Sequence, residues 1–327
     1  MKQIKKILTQ ILLLAIALTS LAFALSGCSG NGLYTEGEGS LNVVCTSFPP
    51  FDIAREIGKD KITVTVLQDN GADLHNFSPT AKTLKALSEA DVFICVGGES
   101  DKKWVDDAIS SAGNTELKVI RLTDHVELTH AELEGHDHGE GAHENDKTDD
   151  GHEGDEHVWL SLRNVMTISD KICSVFAEKD PERAANYQSN TASFKEKLTA
   201  LDAEYTKAVS EARTKTVVFA DRFPFIYLTN DLGLCYYAAF SGCSTEINAD
   251  FSTQVKLINA VKEYSLPAVI VTEGGNKELA DNICAETGCK KVILNSMQSV
   301  TRAEIQNGIS YLDIMNSNLS ALKEALG

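Results

Sequence analysis

The histidines of this chain are concentrated in its first half, where they could hold a metal ion. All eight lie between His75 and His157, and the second half has none. Neutral imidazole is the commonest metal-ligating side chain, and a His-rich tract is a compositional sign of metal binding. The distribution therefore predicts a metal-binding function that draws on the first half of the chain.

Four of these histidines fall in a segment that has almost no apolar residues. From Ala131 to Glu156 the chain is mostly Gly, Asp, Glu and His, and such a composition cannot bury enough surface to order itself. We predict a disordered insert whose exposed, neutral imidazoles collect or sense metal ions. The alternative is a solvated acidic loop in which the histidines are incidental. The predicted auxiliary residues are His136, His138, His143 and His152.

The two outer histidines lie beside predicted strands. His75 stands in G-A-D-L-H-N-F-S-P-T, a turn after a strand and before a helix, and His157 stands in D-E-H-V-W-L, where apolar sequence resumes. In open parallel sheets, ligands bind beyond the carboxyl ends of the strands. A lone histidine in such a loop is more often a packing or hydrogen-bonding residue, so position alone leaves both roles open.

Strand-like and helix-like segments alternate in both halves of the chain. Short apolar runs predict buried strands, and strands that alternate with helices indicate mostly parallel sheets. We therefore predict an α/β fold with two (β/α)4-like lobes. The predicted strands are Leu41–Cys45, Ile62–Leu67, Val92–Val96 and Val119–Leu122 in the first half, and Thr216–Ala220, Leu234–Ala238, Ala268–Thr272 and Val292–Leu294 in the second.

One long helix is predicted to join the two lobes. Asp180 and Pro181 suit the N-cap and the first helical position, and apolar residues then recur at three- and four-residue steps. Roughly thirty residues would reach about 45 Å, so we expect residues 181–213 to form a rigid link between lobes 41–180 and 214–327. The alternative is an ordinary core helix of one lobe.

The first residues have the pattern of an export signal. Basic residues precede an apolar stretch that ends in L-S-G-C at Cys28, as in a secretory signal. The cysteine resembles the lipidated residue of a bacterial lipobox, and a transmembrane helix with a coincidental cysteine is the alternative. We expect a signal peptide over residues 1–27, an acyl anchor on Cys28 at the outer face of the cell membrane, and a flexible tether over 28–40.

Charge and cysteine content narrow the possible partners and sites. The net charge is −17, from 30 basic and 47 acidic residues, without a basic patch, so no nucleic-acid partner is predicted. Setting Cys28 aside leaves seven of the eight cysteines, and no C-x-x-C occurs, which argues against a thiolate zinc site. Cys235 with Cys243, and Cys284 with Cys289, are near enough in sequence to pair, and the spacing leaves their pairing open.

The motifs around the outer histidines resemble those of a known family. The turn at His75 is similar to P-G-x-x-P-H-x-Y-E-P-T, and E-H-V-W-L at His157 is similar to D-P-H-x-W-L, of the zinc/manganese substrate-binding lipoproteins of ABC importers. The acidic His-rich insert and the long linking helix extend the resemblance over essentially the whole mature chain. It implies that both histidines bind the metal in a cleft between the lobes.

The second half departs from the ligand pattern of that family. The resemblance places the third ligand at Ala220 and the fourth near Asn295, and neither side chain suits zinc. Acids in strand-end loops offer substitutes, and Asp221 with Glu246 would complete a charge-neutral set of four ligands. Glu273 and Asn295 are the less favoured candidates, and water or a tract histidine could also complete the sphere.

The leading hypothesis is metal capture, not catalysis. The family resemblance implies a monomeric binding protein that delivers the ion to an ABC permease and its ATPase. An extracytoplasmic zinc hydrolase is the enzymatic alternative, but neither H-E-x-x-H nor G-x-S-x-G occurs, and both are the usual marks of hydrolytic sites.

Three further questions stay open at this point. The chain could be a surface metal buffer or adhesin that serves no permease, or it could bind a chelated metal or an organic solute. The His-rich tract favours zinc, whereas two carboxylate ligands would suit manganese.

Overall fold

Short runs of apolar and β-branched residues form the strands, as such compositions favour. The computed structural model describes residues 33–69, 71, 77–130, 154–242, 244, 249–275 and 277–327. The predicted signal peptide with Cys28, residues 131–153 of the predicted insert, His75 and Glu246 lie outside the described residues. The strands are β1 (Tyr34–Glu36), β2 (Leu41–Cys45), β3 (Ile62–Val66), β4 (Val92–Cys95), β5 (Lys118–Arg121), β6 (Thr216–Phe223), β7 (Cys235–Ser241), β8 (Ala268–Thr272) and β9 (Lys290–Leu294).

The first half of the chain forms a five-stranded sheet in the order β1-β3-β2-β4-β5. Strands β2 to β5 pair in parallel, whereas β1 pairs antiparallel with β3. The sequence assigns β1 to the tether, and the structure differs because Tyr34 packs its ring 6.0 Å from that of Phe51. Strand β1 thereby covers the edge of β3, which would otherwise expose unpaired backbone groups.

The second half forms a four-stranded parallel sheet in the order β7-β6-β8-β9. The predicted strand from Thr216 continues as far as Phe223, with a register shift between Phe219 and Arg222. Such an irregularity bends a strand and redirects its side chains. The prediction of an α/β fold with parallel sheets is confirmed, and β1 is an antiparallel exception.

Helices connect the strands and cover both sheets. Side-chain oxygens cap five of the described helices by accepting a hydrogen bond from the backbone three residues on, as N-caps do. The capping residues are Thr80, Ser161, Asp250, Thr301 and Ser310. The helices are α1 (Phe48–Gly58), α2 (Ala81–Ser88), α3 (Glu99–Lys102), α4 (Val105–Ala112), α5 (Leu162–Lys179), α6 (Ala184–Glu211), α7 (Ile226–Leu232), α8 (Phe251–Glu263), α9 (Glu278–Thr287), α10 (Arg302–Gln306) and α11 (Tyr311–Leu326). Short 3-10 turns cover Lys59–Lys61, Leu122–His125, Val158–Leu160 and Pro181–Arg183.

Helix α5 is an element that the sequence reasoning did not predict. Its buried side chains recur at three- and four-residue steps along the helix, which is the pattern of an amphipathic helix. It packs against the long helix α6, and along the chain it lies between His157 and that helix.

Among the described residues, no helix combines the length and apolar character that crossing a bilayer requires.

The predicted long helix is present as α6. A 3-10 turn over Pro181–Arg183 precedes it, and its 28 residues correspond to a length of about 42 Å. Asn190 near its start donates to the Ile57 carbonyl at the end of α1, 2.9 Å away. Tyr205 near its end donates to the Met315 carbonyl of α11, 2.6 Å away. Helix α6 is therefore fixed to elements from both halves of the chain.

The apolar core is continuous between the two sheets. One cluster of buried residues includes Val43 and Ile94 of the first sheet, Leu198 of α6, and Val217 and Ile270 of the second sheet. Burial of this kind is the main favourable contribution to folding. A second cluster covers the opposite face of the second sheet.

A buried ion pair joins α1 to the start of α11. Asp52 is fully buried, forms a salt bridge with Arg55, and accepts a hydrogen bond from the Tyr311 backbone N–H at 2.6 Å. Arg55 also donates to the Ile309 carbonyl at 2.8 Å. Burial raises the pKa of Asp52 to about 6, although the neighbouring Arg55 acts in the opposite direction.

This pKa gives a pH dependence of stability that Asp52→Asn should remove. Because the folded-state pKa is raised, the folded protein binds the proton more tightly, so the stabilisation is present at low pH and is lost as the pH rises through about 6. As the pH rises from roughly 4 to 7, the wild type should lose about 2–3 kcal/mol of unfolding free energy relative to the variant. Urea unfolding across that range measures it, with exposed Asp107→Asn as control. Parallel curves for wild type and Asp52→Asn would contradict the assignment.

Candidate metal centre

His157 is a fully buried histidine whose ring is held by the residue two positions before it. Its Nδ1 lies 2.8 Å from Asp155 Oδ1, and its backbone N–H donates to the same oxygen at 2.8 Å. Because a carboxylate oxygen accepts, Nδ1 carries the hydrogen and Nε2 keeps the lone pair. A carboxylate on the far nitrogen is the usual way in which a metal-ligating histidine is oriented.

The second ring nitrogen of His157, Nε2, faces the loop that follows β9. The carboxamide of Gln298, which is 8% exposed, is in direct contact with His157 Nε2. A carboxamide carries both a donor nitrogen and an acceptor oxygen. The Gln298 side chain therefore lies where an ion bound to Nε2 would stand, and it would have to move aside or bind the ion.

Other loops of the second sheet also close around this ring. A Cβ at Gly242, just after β7, would lie 3.1 Å from His157 Cε1 and 3.0 Å from Asp155 Oδ2, so a larger residue would displace the pair. Trp159 packs edge-on to the imidazole at 5.2 Å and donates to the Ser296 carbonyl at 2.9 Å. The carboxyl-end loops of β7 and β9 thus meet at a histidine that precedes α5.

Glu273, at the end of β8, shapes the loop that carries Gln298. Its carboxylate accepts hydrogen bonds from Ser296 N at 2.6 Å, Ser296 Oγ at 2.7 Å and Gln298 N at 3.3 Å. Burial raises the pKa of Glu273, and these hydrogen bonds act in the opposite direction. In this arrangement the carboxylate is a loop anchor.

Asp221 and Asn295 are likewise engaged within the second sheet. Asp221 Oδ2 accepts from the backbone and hydroxyl of Thr272 at 3.0 and 2.6 Å, and its Oδ1 accepts from Arg222 N at 2.8 Å. Asn295 Oδ1 accepts from Met297 N at 2.8 Å. Both side chains stabilise strand-end loops, and either would give up these hydrogen bonds in order to bind a metal.

The segment before His157 is fixed to the first sheet. Glu156 Oε2 accepts from Ser100 N at 2.9 Å and from Ser100 Oγ at 3.0 Å, at the start of α3. Burial raises the pKa of the neighbouring Asp101 to about 6, and the Glu156 charge adds to that effect. Residues 154–156, the last of the predicted insert, therefore have contacts within the folded protein.

Both ends of the insert are held together by one side chain of α7. Tyr227 Oη donates to the Asp155 carbonyl at 2.6 Å and accepts from Thr129 N at 3.4 Å. Asp155 N also donates to the Thr129 carbonyl at 2.7 Å. Thr129 and Asp155, which stand on either side of residues 131–153, thus lie together close to His157.

The chain segment that leads to His75 lies against the segment that follows Gln298. Arg302 Nε donates to Asp69 Oδ2 at 2.6 Å, and Arg302 N donates to the Asp69 carbonyl at 2.5 Å. A Cβ at Gly71 would lie 2.9 Å from Thr301 Cγ2. The end of β3 and the loop after β9 are therefore attached to each other.

The described residues contain part of the predicted ligand set. No three His, Cys, Asp or Glu side chains within the described ranges form a cluster that could hold a metal ion. Of the predicted set, His75 and Glu246 lie outside those ranges, as do the auxiliary residues His136, His138, His143 and His152 and the lipidation site Cys28.

Solved structures place this fold among metal-binding proteins. The Zn(II)-bound ZnuA-like domain of Streptococcus pneumoniae AdcA has 27% identity and a TM-score of 0.69, covering 88% of this chain and 99% of that domain. The metal-dependent lipoprotein YcdH of Bacillus subtilis has 26% identity and a TM-score of 0.72, covering 88% of this chain and 99% of that one.

Sequence comparison identifies the family, within these metal-binding proteins, to which the chain belongs. The family model described as zinc-uptake complex component A, periplasmic, matches residues 43–325, and the chain belongs to this family. The high-affinity zinc uptake system protein ZnuA of Bacillus subtilis is 29% identical over 96% of this chain and 97% of its own length. The zinc-binding lipoprotein AdcA of Streptococcus pneumoniae TIGR4 is 30% identical over 95% of this chain, which spans only 60% of that relative. The family consists of solute-binding components of uptake systems and not of enzymes.

Two residues at this centre were missed as site residues by the sequence reasoning. Asp155 appears in the motif D-E-H-V-W-L, where a carboxylate two positions before a histidine is a usable signal. Gln298 lies three residues beyond Asn295, the amide that was considered as a ligand, and was itself not predicted. Its position in a loop after a predicted strand was the remaining signal.

The role of Glu273 as an anchor of the loop after β9 can be tested by stability measurements without metal. In Glu273→Ala, the donors at Ser296 and Gln298 lose their acceptor in a largely buried loop, so we expect a loss of about 2–4 kcal/mol in unfolding free energy. Urea unfolding measures this, and the exposed residue Glu286 of α9 provides the matched control, since Glu286→Ala should change stability by less than about 0.5 kcal/mol. Equal effects of the two substitutions would show that Glu273 does not anchor the loop.

Proposed function

We propose that this chain captures a zinc ion between the carboxyl-end loops of its two sheets and delivers it to an ABC permease. The observation that carries the proposal is His157, which is buried, oriented through Nδ1 by Asp155, and turned with Nε2 toward a loop of the second sheet. The relatives that cover most of this chain are named for zinc binding or zinc uptake.

The chemistry of the centre favours a metal ligand over a packing histidine. A buried polar group needs a partner for each of its hydrogen-bonding atoms, and a carboxylate on Nδ1 makes the imidazole a better ligand at Nε2. A charged carboxylate, where a neutral carbonyl would satisfy a packing histidine, is the feature that favours the ligand role. The loops around His157 supply both the orientation and the exclusion of water that a tight site requires.

The proposed first ligands are His157 and His75, with Glu246 from the second half. Two imidazoles and one carboxylate provide three of the four ligands that zinc usually takes. The amide oxygen of Gln298, if its carboxamide turned over, or a water molecule would supply the fourth. Asp221 is the less favoured ligand because Thr272 already donates two hydrogen bonds to it. Manganese is the alternative cargo, since it prefers oxygen ligands.

Metal analysis of single variants tests this site. We expect wild-type protein to bind one zinc tightly, and His157→Ala or His75→Ala to weaken that binding by more than about 100-fold, because each removes a ligand. Calorimetric titration with zinc and with manganese measures affinity and stoichiometry. His130→Ala is the matched control, because His130 is exposed and stands outside the proposed set. A double variant of His75 and His157 that kept one tight zinc would overturn the site.

The His-rich insert is proposed to collect ions near the main site. The described residues on either side of it, Thr129 and Asp155, meet at Tyr227 and next to His157, which supports a role near the main site. Because its composition offers little apolar surface to bury, we expect its sites to be weaker than the main one.

Removal of residues 131–153 separates the two kinds of site. Because Asp155 N and the Thr129 carbonyl are 2.7 Å apart, a short Gly-Ser linker can close the gap without disturbing Asp155 or Glu156. We expect the shortened chain to keep the tight zinc and to lose additional, weaker zinc in the same titration. Unchanged total binding would show that the insert histidines are incidental, and loss of the tight ion would place a ligand within the insert.

The proposal includes the location and partners expected for such a protein. Relatives are named as lipoproteins or as periplasmic components, which supports an acyl anchor on Cys28 and a place outside the cytoplasm. The family description as a component of an uptake complex supports delivery to a permease driven by an ATPase. We propose that the chain acts as a monomer in that complex.

A further inference from the structure

Two cysteines meet at the far end of the second sheet, away from the candidate metal centre. Cys284 lies in the last turn of α9 and Cys289 directly precedes β9. Their sulfur atoms are 3.3 Å apart, and both residues are partly exposed. We propose that Cys284 and Cys289 form a disulfide in the exported protein.

The local backbone is what brings the two sulfur atoms together. Gly288 ends the helix in the left-handed region with φ 75°, and its N–H donates to the Cys284 carbonyl at 2.8 Å. Glycine adopts this conformation without strain. The chain turns back immediately after it, and Lys290 N donates to the Pro267 carbonyl at 2.9 Å. The close contact of the thiols is therefore built into the connection between α9 and β9.

Other described cysteines lack this combination of contact and access. Cys45, Cys95 and Cys173 are buried, and burial raises the pKa of the Cys45 and Cys95 thiols well above their usual range. Thiols of that kind behave as small inert hydrophobes. Burial and the neighbouring Cys289 also raise the pKa of Cys284, to about 12, so what distinguishes this thiol from the buried ones is its partial exposure and its contact with a second sulfur atom.

The oxidant is a protein disulfide of the thiol–disulfide oxidoreductase class, which acts outside the cytoplasm. One thiolate of the pair attacks a sulfur of the donor disulfide, and the first donor thiol leaves. The second thiolate attacks the resulting mixed disulfide, and the second donor thiol leaves. Two electrons and two protons pass from Cys284 and Cys289 to the donor, which ends as a dithiol.

Peptide mass analysis tests the bond directly. Trypsin should release both cysteines in one peptide, Glu278–Lys290, and Cys173 in another, Ile172–Lys179. Exported protein is purified without reductant, denatured and alkylated before digestion. We expect Glu278–Lys290 to carry no alkyl group and to lie two hydrogen masses below the dithiol, and to take up two alkyl groups after reduction. The Cys173 peptide must be alkylated in both samples.

Three outcomes of this measurement would overturn the proposal. They are alkylation of both cysteines before reduction, a cross-link from Glu278–Lys290 to a different peptide, and alkylation that is blocked only until a chelator is added. The last would show a metal held by the two thiolates. None of these outcomes depends on zinc binding at His157, so the test is independent of the proposed function.

Thermal unfolding supplies the second measurement. We expect the double substitution of Cys284 and Cys289 by Ser to lower the Tm of the exported protein by roughly 2–5 °C. Reductant should lower the wild-type Tm by a similar amount and leave the double variant unchanged. Cys235→Ser, at another partly exposed cysteine, is the matched control and should respond to reductant as wild type does. Identical Tm values with and without reductant in wild type would contradict a cross-link.

Discussion

The burial of one imidazole between two sheets is the constraint on which the rest of this centre depends. A histidine without solvent must find partners for both ring nitrogens, or its burial costs free energy. Asp155 satisfies Nδ1 and Gln298 contacts Nε2, and these two residues come from opposite halves of the chain. Meeting that requirement brings the loop after β9 against the segment before α5.

Carboxylates then keep those loops in place. Glu273 accepts hydrogen bonds from the loop that carries Gln298, and Asp221 accepts them from the end of β8. Glu156 does the same for the start of α3. An acid that accepts several backbone and hydroxyl hydrogen bonds fixes geometry and has less capacity to bind an ion. Glu273, Asp221 and Glu156 therefore act as anchors of the loops in this structure.

The elements that could be predicted from the sequence are those defined by periodicity. The strands of both sheets and the long helix have clear apolar patterns, and their existence follows from them. The strand at Tyr34 was not predictable from a three-residue segment in a polar stretch, because its stability comes from pairing with β3 and from the contact with Phe51. Helix α5 has a regular apolar pattern, so its existence was predictable from the sequence in the same way as that of the long helix.

The direction of side chains at the strand ends was the part of the site that was harder to predict from the sequence. His157 could be singled out from its motif, whereas the choice between Asp221, Asn295 and Gln298 required knowing where each side chain points. The register shift in β6 and the turn after β9 decide that, and both are set by tertiary contacts. Residue type favoured the carboxylate, but the structure places the carboxamide of Gln298 at the histidine.

The shared core limits how this protein can release what it binds. One apolar cluster runs through both sheets and α6, and buried polar contacts such as Asp52 with Tyr311 and Tyr205 with Met315 join the two halves. Opening the halves widely would expose apolar surface and break these bonds together, at a cost comparable to that of partial unfolding. We therefore expect the two sheets to keep their packing while a bound ion is exchanged.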